Sequence, residues 1–109
     1  MEVVEEMTKL RELLDKKGIK WQDHSDDFGK SEIKCNWICR TWFIVEGKRV
    51  SCINGLGTYG GCDAMSNFEK NDGLIEMMIW GEGDPIGWLT AEKCIEILEK
   101  TFKNRKSED

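Results

Sequence analysis

Residues 40–61 of the chain, RTWFIVEGKRVSCINGLGTYGG, decide the fold class. Residues 41–46 and residues 50–54 both alternate in character with a period of two, which is typical of β-strands. The turn between them contains Gly47, and glycine tolerates the positive φ angles of tight hairpin turns. The segment is therefore predicted to be a β-hairpin that runs into a glycine-rich loop at residues 55–61.

An amphipathic helix is predicted on each side of this hairpin. Residues 2–17 place apolar side chains on one helical face, and Gly18 is suited to ending this helix. Thr90 is a suitable N-cap for a second helix near the end of the chain. The apolar stripe of that helix consists of Ala91, Cys94, Ile95, Leu98 and Phe102. Residues 106–109 are expected to fray.

Further strands are predicted between the two helices. Residues 19–23, 68–70 and 74–80 have the composition of strands. Residues 33–45 alternate throughout and can form one long strand or two strands with a break. Thirteen residues exceed the usual strand length, so a bulge or bend is expected at residues 36–40.

The remaining segments between the helices are predicted to be loops, and they complete a simple architecture. Residues 24–30 and the glycine-rich residues 81–88 are the main ones. The order of elements is helix, four or five strands, helix. This order predicts a single α+β domain over residues 1–109, with an antiparallel meander sheet and both helices on one of its faces.

Composition narrows the class of function. The chain has 109 residues and a net charge of -5, which argues against a direct nucleic-acid binder because phosphates require a basic surface. It contains no apolar run of about 18 residues, so a membrane span is not expected. The acidic N-terminus does not resemble a signal peptide, which favours a location in the cytoplasm of the host cell.

The cysteines raise two hypotheses of chemistry. Cys35, Cys39, Cys52 and Cys62 suggest zinc, but Cys35 and Cys39 would lie about 13 Å apart on a flat strand, too far to share a metal. A cysteine nucleophile, with Cys62 as the most exposed thiol, would need His24 as its base, and nothing in the sequence places the two together. We therefore expect reduced, buried thiols, and we predict no catalytic residue, metal or cofactor.

The two glycine-rich loops suggest a ligand pocket. Glycines let the backbone approach a ligand, and successive amide groups can hold an anion. Residues 55–61 include the pattern G-x-G-x-x-G, but no βαβ unit surrounds it, which excludes a dinucleotide fingerprint. A pocket for a small nucleotide would be lined by Tyr59, Trp80, Trp88 and Arg40. Arg40 or Arg49 would contact its phosphate. The alternative is that both loops are simply tight connections.

Aromatic residues suggest a binding surface. Five tryptophans are too many for so small a domain to bury fully, and exposed tryptophans are preferred anchors at interfaces. The predicted anchors are Trp42, Tyr59, Trp80 and Trp88. Glu82 and Asp84 are expected to meet basic groups of the partner. Residues 74–80 are apolar on both faces, which fits either a central strand or an oligomer contact.

Three short segments carry a resemblance to known proteins. They are Leu10–Trp21 (LRELLDKKGIKW), Arg40–Phe43 (RTWF) and Leu89–Leu98 (LTAEKCIEIL). Together they resemble a group of small phage and prophage proteins of gut Firmicutes, in which a helix, a sheet and a closing helix follow in this order. The resemblance implies a protein of mobile-element origin. It also implies a role against host defence, by blocking a nuclease or by sequestering a nucleotide signal.

The leading hypothesis is a non-enzymatic binding protein that inhibits a host defence factor by occupying its surface, in the manner of an anti-CRISPR protein or of another anti-defence protein. The alternative is a sponge that sequesters a small nucleotide signal between the glycine-rich loops. The expected partners are therefore a host defence protein or a small nucleotide ligand, without nucleic acid or membrane, and a homo-oligomer is left open. A metal-dependent or thiol enzyme would require bound zinc or a thiol of depressed pKa.

Overall fold

The computed structural model describes the backbone of residues 1–33 and 35–106 and the side chains of residues 1–33 and 35–102. Over this part of the chain, the elements are α1 (Glu5–Lys16), β1 (Trp21–Asp23), β2 (Asp26–Asp27), β3 (Trp37–Val45), β4 (Lys48–Gly55), a 3₁₀ turn (Ala64–Ser66), β5 (Ile75–Ile79), β6 (Ile86–Leu89) and α2 (Ala91–Lys106). The predicted α+β class is confirmed: one helix precedes the strands of the antiparallel sheet in the chain, and the other follows them.

The described strands form one antiparallel sheet in the order β1-β3-β4-β5-β6, and β2 pairs with β3 beyond the end of β1. The β3–β4 hairpin has the longest register, which runs from Ile38 opposite Gly55 to Val45 opposite Lys48. Glu46 and Gly47 at its turn have φ angles of 49° and 79°. Two consecutive residues with positive φ are the mark of the type I′ turn, whose twist matches that of the strands.

The alternation along the strands sorts side chains into two faces. On the inner face, Cys39 and Phe43 of β3 and Cys52 of β4 join one core with apolar side chains of both helices. The helices contribute Met7, Leu10, Leu14, Ala91, Cys94, Ile95, Leu98 and Phe102. We call the opposite side of the sheet the outer face. In the described part of the chain neither helix packs on it.

Arg11 ties α1 to the sheet. Its Nε donates to the Thr41 hydroxyl at 2.9 Å, and its guanidinium lies 4.6 Å from the centroid of the Trp21 ring and 3.6 Å from the Asp23 carboxylate. The cation therefore has hydrogen-bonding, ionic and aromatic partners at a half-buried position, which offsets its desolvation.

Thr90 caps α2 as predicted. Its hydroxyl accepts from the backbone N–H of Lys93 at 3.2 Å, and its carbonyl accepts from Cys94. The hydroxyl thereby satisfies one amide donor of the first helical turn that has no partner within the helix, and the carbonyl accepts the first bond of the helix itself.

Several local predictions are wrong. Residues 68–70 are not a strand, because the chain forms the 3₁₀ turn and then places Asn67 and Phe68 at φ angles of 56° and 59°. Strand β6 begins inside the segment 81–88 that was predicted to be a loop. Residues 24–30 likewise contain the short strand β2. Fraying was predicted for residues 106–109. Residue 106 is the last residue of α2, and residues 107–109 lie outside the described part of the chain.

The side-chain amides of Asn54 and Asn71 tie the segment before β5 to β4. The Asn54 side chain donates to the Asn71 side-chain oxygen at 3.0 Å and to the Leu74 carbonyl at 2.8 Å, and it accepts from the Asn71 amide at 2.9 Å. Asn54 itself is fully buried. Its polar atoms are therefore satisfied by the segment that they hold in place.

Replacing Asn54 by leucine should lower the free energy of unfolding by about 1–3 kcal/mol, because the Asn71 side chain and the Leu74 carbonyl lose their hydrogen bonds to it at partly buried positions. Urea unfolding measures the change. Ser51→Ala, on the outer face of the same strand, is the matched control and should stay within about 0.5 kcal/mol of the wild type. Equal stability of Asn54→Leu and wild type would show that the amide pair is not required.

Candidate binding surfaces

Aromatic side chains are exposed on the β5–β6 side of the outer face. Trp80 is 61% exposed, Tyr59 54% and Trp88 56%. The rings of Tyr59 and Trp88 stack with their centroids 5.4 Å apart and an interplanar angle of 23°. Trp80 follows β5 directly and shares the parity of Glu76 and Met78 along it. We call Tyr59, Trp80 and Trp88 the aromatic surface.

The stacked pair is held in place by backbone contacts. The Tyr59 amide donates to the Glu76 carboxylate at 2.8 Å, and the Trp88 amide donates to the Tyr59 carbonyl at 3.0 Å. A Cβ atom at Gly87 would lie 2.3 Å from the Tyr59 Cβ, so glycine is needed there for the loop to approach β6.

Trp88 occupies a strained position. Its φ angle is +53°, in the left-handed region that a bulky residue rarely adopts. The register of β5 against β6 shifts between Ile75 and Met77, which places Gly87 and Trp88 in a β-bulge. Bulges commonly re-aim a side chain, and here the bulge coincides with the exposure of the Trp88 ring.

Trp42 and Arg40 lie elsewhere on the outer face, toward β1. The half-buried Trp42 ring stacks on His24 with a centroid distance of 3.9 Å, and the Arg49 guanidinium lies 4.7 Å from its centroid. Arg40 pairs with the Asp26 carboxylate at 2.8 Å and donates to the His24 carbonyl at 2.9 Å. Among the described residues, the observed partners of Trp42 and Arg40 are therefore His24, Asp26 and Arg49, and not the side chains of the aromatic surface.

The two predicted acidic contacts differ in their surroundings. The Glu82 carboxylate lies 2.8 Å from the Lys48 ammonium, and its side chain is 22% exposed. Asp84 is exposed in the turn between β5 and β6. Glu82 thus has an ion pair within the chain, and Asp84 is the better placed of the two to meet a partner.

The first glycine-rich loop uses its amides internally. Gly57 donates to the Cys62 carbonyl, Thr58 and Cys62 donate to the Gly55 carbonyl, and Gly61 donates to the Thr58 carbonyl. The Thr58 hydroxyl also accepts from the Gly55 amide at 3.0 Å. Amide groups that are already hydrogen-bonded do not hold an anion, so this geometry favours the alternative of a tight connection.

Two glycines of this loop should respond differently to alanine. A Cβ atom at Gly61 would lie 2.2 Å from the Thr58 Oγ1 and 2.5 Å from the Gly55 carbonyl oxygen, whereas Gly57 has open space at a φ of +72°. Gly61→Ala should therefore cost more than about 3 kcal/mol of unfolding free energy, and Gly57→Ala only about 1 kcal/mol. Thermal and urea unfolding measure both. An equal loss of unfolding free energy in the two variants would contradict the close packing described for Gly61.

All five cysteines of the chain are buried, free thiols: Cys35, Cys39, Cys52, Cys62 and Cys94. Burial raises the pKa of the Cys39 and Cys52 thiols, and burial together with the neighbouring Cys35 thiol raises the pKa of Cys62 to about 12. The expectation that Cys62 is the most exposed thiol is wrong, because the residue is fully buried. A raised pKa suppresses the thiolate that a cysteine nucleophile requires.

The Cys62 thiol should make stability depend on pH in the alkaline range. Its folded pKa is about 12 against an ordinary value of 9.0, so the unfolded chain ionises first as the pH rises. Its contribution to the free energy of unfolding should fall from about pH 9 to about pH 12, with a slope of up to about 1.4 kcal/mol per pH unit. Urea unfolding of wild type and Cys62→Ala at several pH values isolates this contribution. If the free energy of unfolding changed with pH in the same way in wild type and in Cys62→Ala, the predicted contribution of Cys62 would be contradicted.

Comparison with protein-family models, with curated proteins and with solved structures found no match for this chain. The described residues include no group of three or more histidine, cysteine or acidic side chains arranged to hold a metal ion. They also include no helix long and apolar enough to cross a membrane. The functional argument therefore rests on the surface of the molecule.

Proposed function

We propose that this protein is a non-enzymatic binding protein that docks on another protein through the aromatic surface. The observation that carries the proposal is the exposure of Tyr59, Trp80 and Trp88, each more than half accessible on a sheet face. At typical aromatic areas they present roughly 300 Å². Exposed aromatic side chains are preferred anchors at protein interfaces, and those of one sheet face can contribute to an interface of about 800 Å² per partner.

The stacked pair is arranged before a partner arrives. Tyr59 and Trp88 contact each other and are fixed through Glu76 and the bulge of β6. Side chains that are already ordered lose little conformational freedom on binding, so more of the contact energy contributes to affinity. The left-handed backbone at Trp88 costs of order 1 kcal/mol, and such strain occurs preferentially at functional sites.

Charge supports a partner with basic groups around an apolar centre. The chain has a net charge of -5, and exposed Asp84 lies in the turn that joins Trp80 to β6. Complementary charges at the rim of an interface speed association and select against wrong partners. The partner is therefore expected to present apolar side chains with lysine or arginine beside them.

The finer form of the proposal concerns the identity of the partner. The resemblance of Leu10–Trp21, Arg40–Phe43 and Leu89–Leu98 to small phage proteins supports a host defence factor. Occupation of its surface would inhibit it by excluding its substrate, which requires no catalytic group in the inhibitor.

The docking proposal is tested by capture with matched variants. Wild type, the double variant Trp80→Ala with Trp88→Ala, and Met65→Ala are each immobilised and exposed to Firmicutes lysate. Met65 is 98% exposed and lies outside the aromatic surface, so it controls for the loss of an exposed apolar side chain. We expect one protein to be retained by wild type and Met65→Ala and lost with the double variant, because each hot-spot aromatic contributes about 2 kcal/mol or more.

The captured protein is then purified, and its affinity for each variant is measured by calorimetry. A loss of at least thirtyfold in the double variant supports docking through the aromatic surface. Circular dichroism verifies that the variants are folded. An unchanged affinity of the double variant would refute the proposal. Loss of the captured protein's activity in the complex tests the inhibitor hypothesis separately.

A further inference from the structure

A second surface feature lies on the β1 side of the outer face. It is a cleft of about 600 Å³ between the α1–β1 turn and strands β3 and β4. The side chains that matter for its chemistry are Lys20, Gln22, His24, Trp42, Ile44 and Arg49. We propose that this cleft binds a small phosphorylated ligand with a planar ring, that is, a ligand of the nucleotide class. The proposal is independent of docking through the aromatic surface.

The charge of the cleft is opposite to that of the whole chain. Lys20 and Arg49 line it together with His24, and its described lining includes no acidic side chain, although the chain carries a net charge of -5. Within the described residues, neither Lys20 nor Arg49 forms an ion pair. Both side chains are exposed, so their cationic groups can pair with a ligand anion.

The register of the sheet brings these groups together. Gln22 of β1 lies opposite Trp42 of β3, and Ile44 of β3 lies opposite Arg49 of β4. Side chains of one parity on neighbouring strands share a face, so Arg49 approaches Trp42 from the β4 side. His24, which follows β1, reaches the same ring from the other strand, and its Nε2 lies 2.9 Å from the Gln22 Oε1.

The Trp42 ring already contacts two planar groups. The imidazole of His24 lies 3.9 Å from it at an interplanar angle of 26°, and the Arg49 guanidinium lies 4.7 Å away. A planar base can take the place of the guanidinium on the indole, because every nucleic-acid base has a π-face that can stack on an aromatic side chain. Arg49 can then turn its planar set of N–H donors to the phosphate, a geometry that suits phosphate oxygens.

Size and charge select a small ligand over a polymer. A cleft of about 600 Å³ lies in the range of sites for small molecules. Two cations and an imidazole suit a single phosphate dianion, whereas a nucleic-acid strand requires a basic surface that extends along its backbone. The cleft also differs in position from the first glycine-rich loop, whose Gly57, Thr58 and Gly61 amides are hydrogen-bonded within the chain.

The test is calorimetry of wild-type protein at low salt with AMP, GMP, CMP and UMP, and with adenosine and inorganic phosphate as partial ligands. At least one nucleotide should bind with a stoichiometry of one and more tightly than either partial ligand. Arg49→Gln and Lys20→Gln should each lower the affinity for that nucleotide at least tenfold. Lys100→Gln removes an equal charge from an exposed position on α2 and should change the affinity less than twofold.

Several outcomes would overturn the assignment. They are the absence of nucleotide binding at millimolar concentration, equal binding by Arg49→Gln, and tighter binding of an oligonucleotide than of any mononucleotide. Quenching of tryptophan fluorescence that persists in Trp42→Phe would also contradict it. Trp88→Ala, which alters the aromatic surface on the β6 side and away from Arg49, should bind the nucleotide normally, so failure of this proposal and failure of the docking proposal are distinguishable.

Discussion

The pairing of β3 with β4 is the constraint on which the rest of the molecule depends. Its register is set by a type I′ turn at Glu46 and Gly47 and continues from Val45 back to Ile38. A slip of one residue would exchange the two faces of the hairpin. Phe43 would then leave the core and Trp42 would enter it, so both the packing of the helices and the composition of the outer face follow from this single register.

The two faces serve different purposes. The inner face is filled by both helices, and cysteines act there as small apolar residues. Burial raises the pKa of two of them, Cys39 and Cys52. The outer face divides again into the aromatic surface beside β6 and a cationic cleft beside β1. Both regions are built from side chains of alternating strand positions, but their chemistry differs. One offers apolar area for a protein, and the other offers cations beside an indole ring.

The sequence predicts those features that depend on neighbouring residues. The period-two alternation of residues 41–46 and 50–54 indicates the hairpin, and the 3.6-residue periodicity indicates both helices. Strand β6 is missed because its bulge at Gly87 and Trp88 interrupts the alternation, and nearby glycines and a proline suggest a loop. The stacking of Tyr59 on Trp88 joins residues far apart in the chain, and it depends on a close approach at Gly87 that no local pattern encodes.

The cleft is missed for a different reason. Lys20 and Gln22 alternate with the apolar Ile19 and Trp21, which is a local signal that they face away from the core. Their proximity to Arg49 also requires the register of three strands, which the sequence alone does not specify. The burial of Cys62 is missed because its position after two glycines suggests an exposed loop. In the structure Gly61 packs closely against Gly55, and the next residue, Cys62, is fully buried.

Hydroxyl-radical footprinting of the free protein and of its complex with the captured partner tests the central claim most directly. If the aromatic surface is the docking site, Tyr59, Trp80 and Trp88 are oxidised readily in the free protein and protected in the complex, while Met65 reacts equally in both. Protection of Met65 or of α1 and α2, with the three aromatic side chains still reactive, would contradict the account.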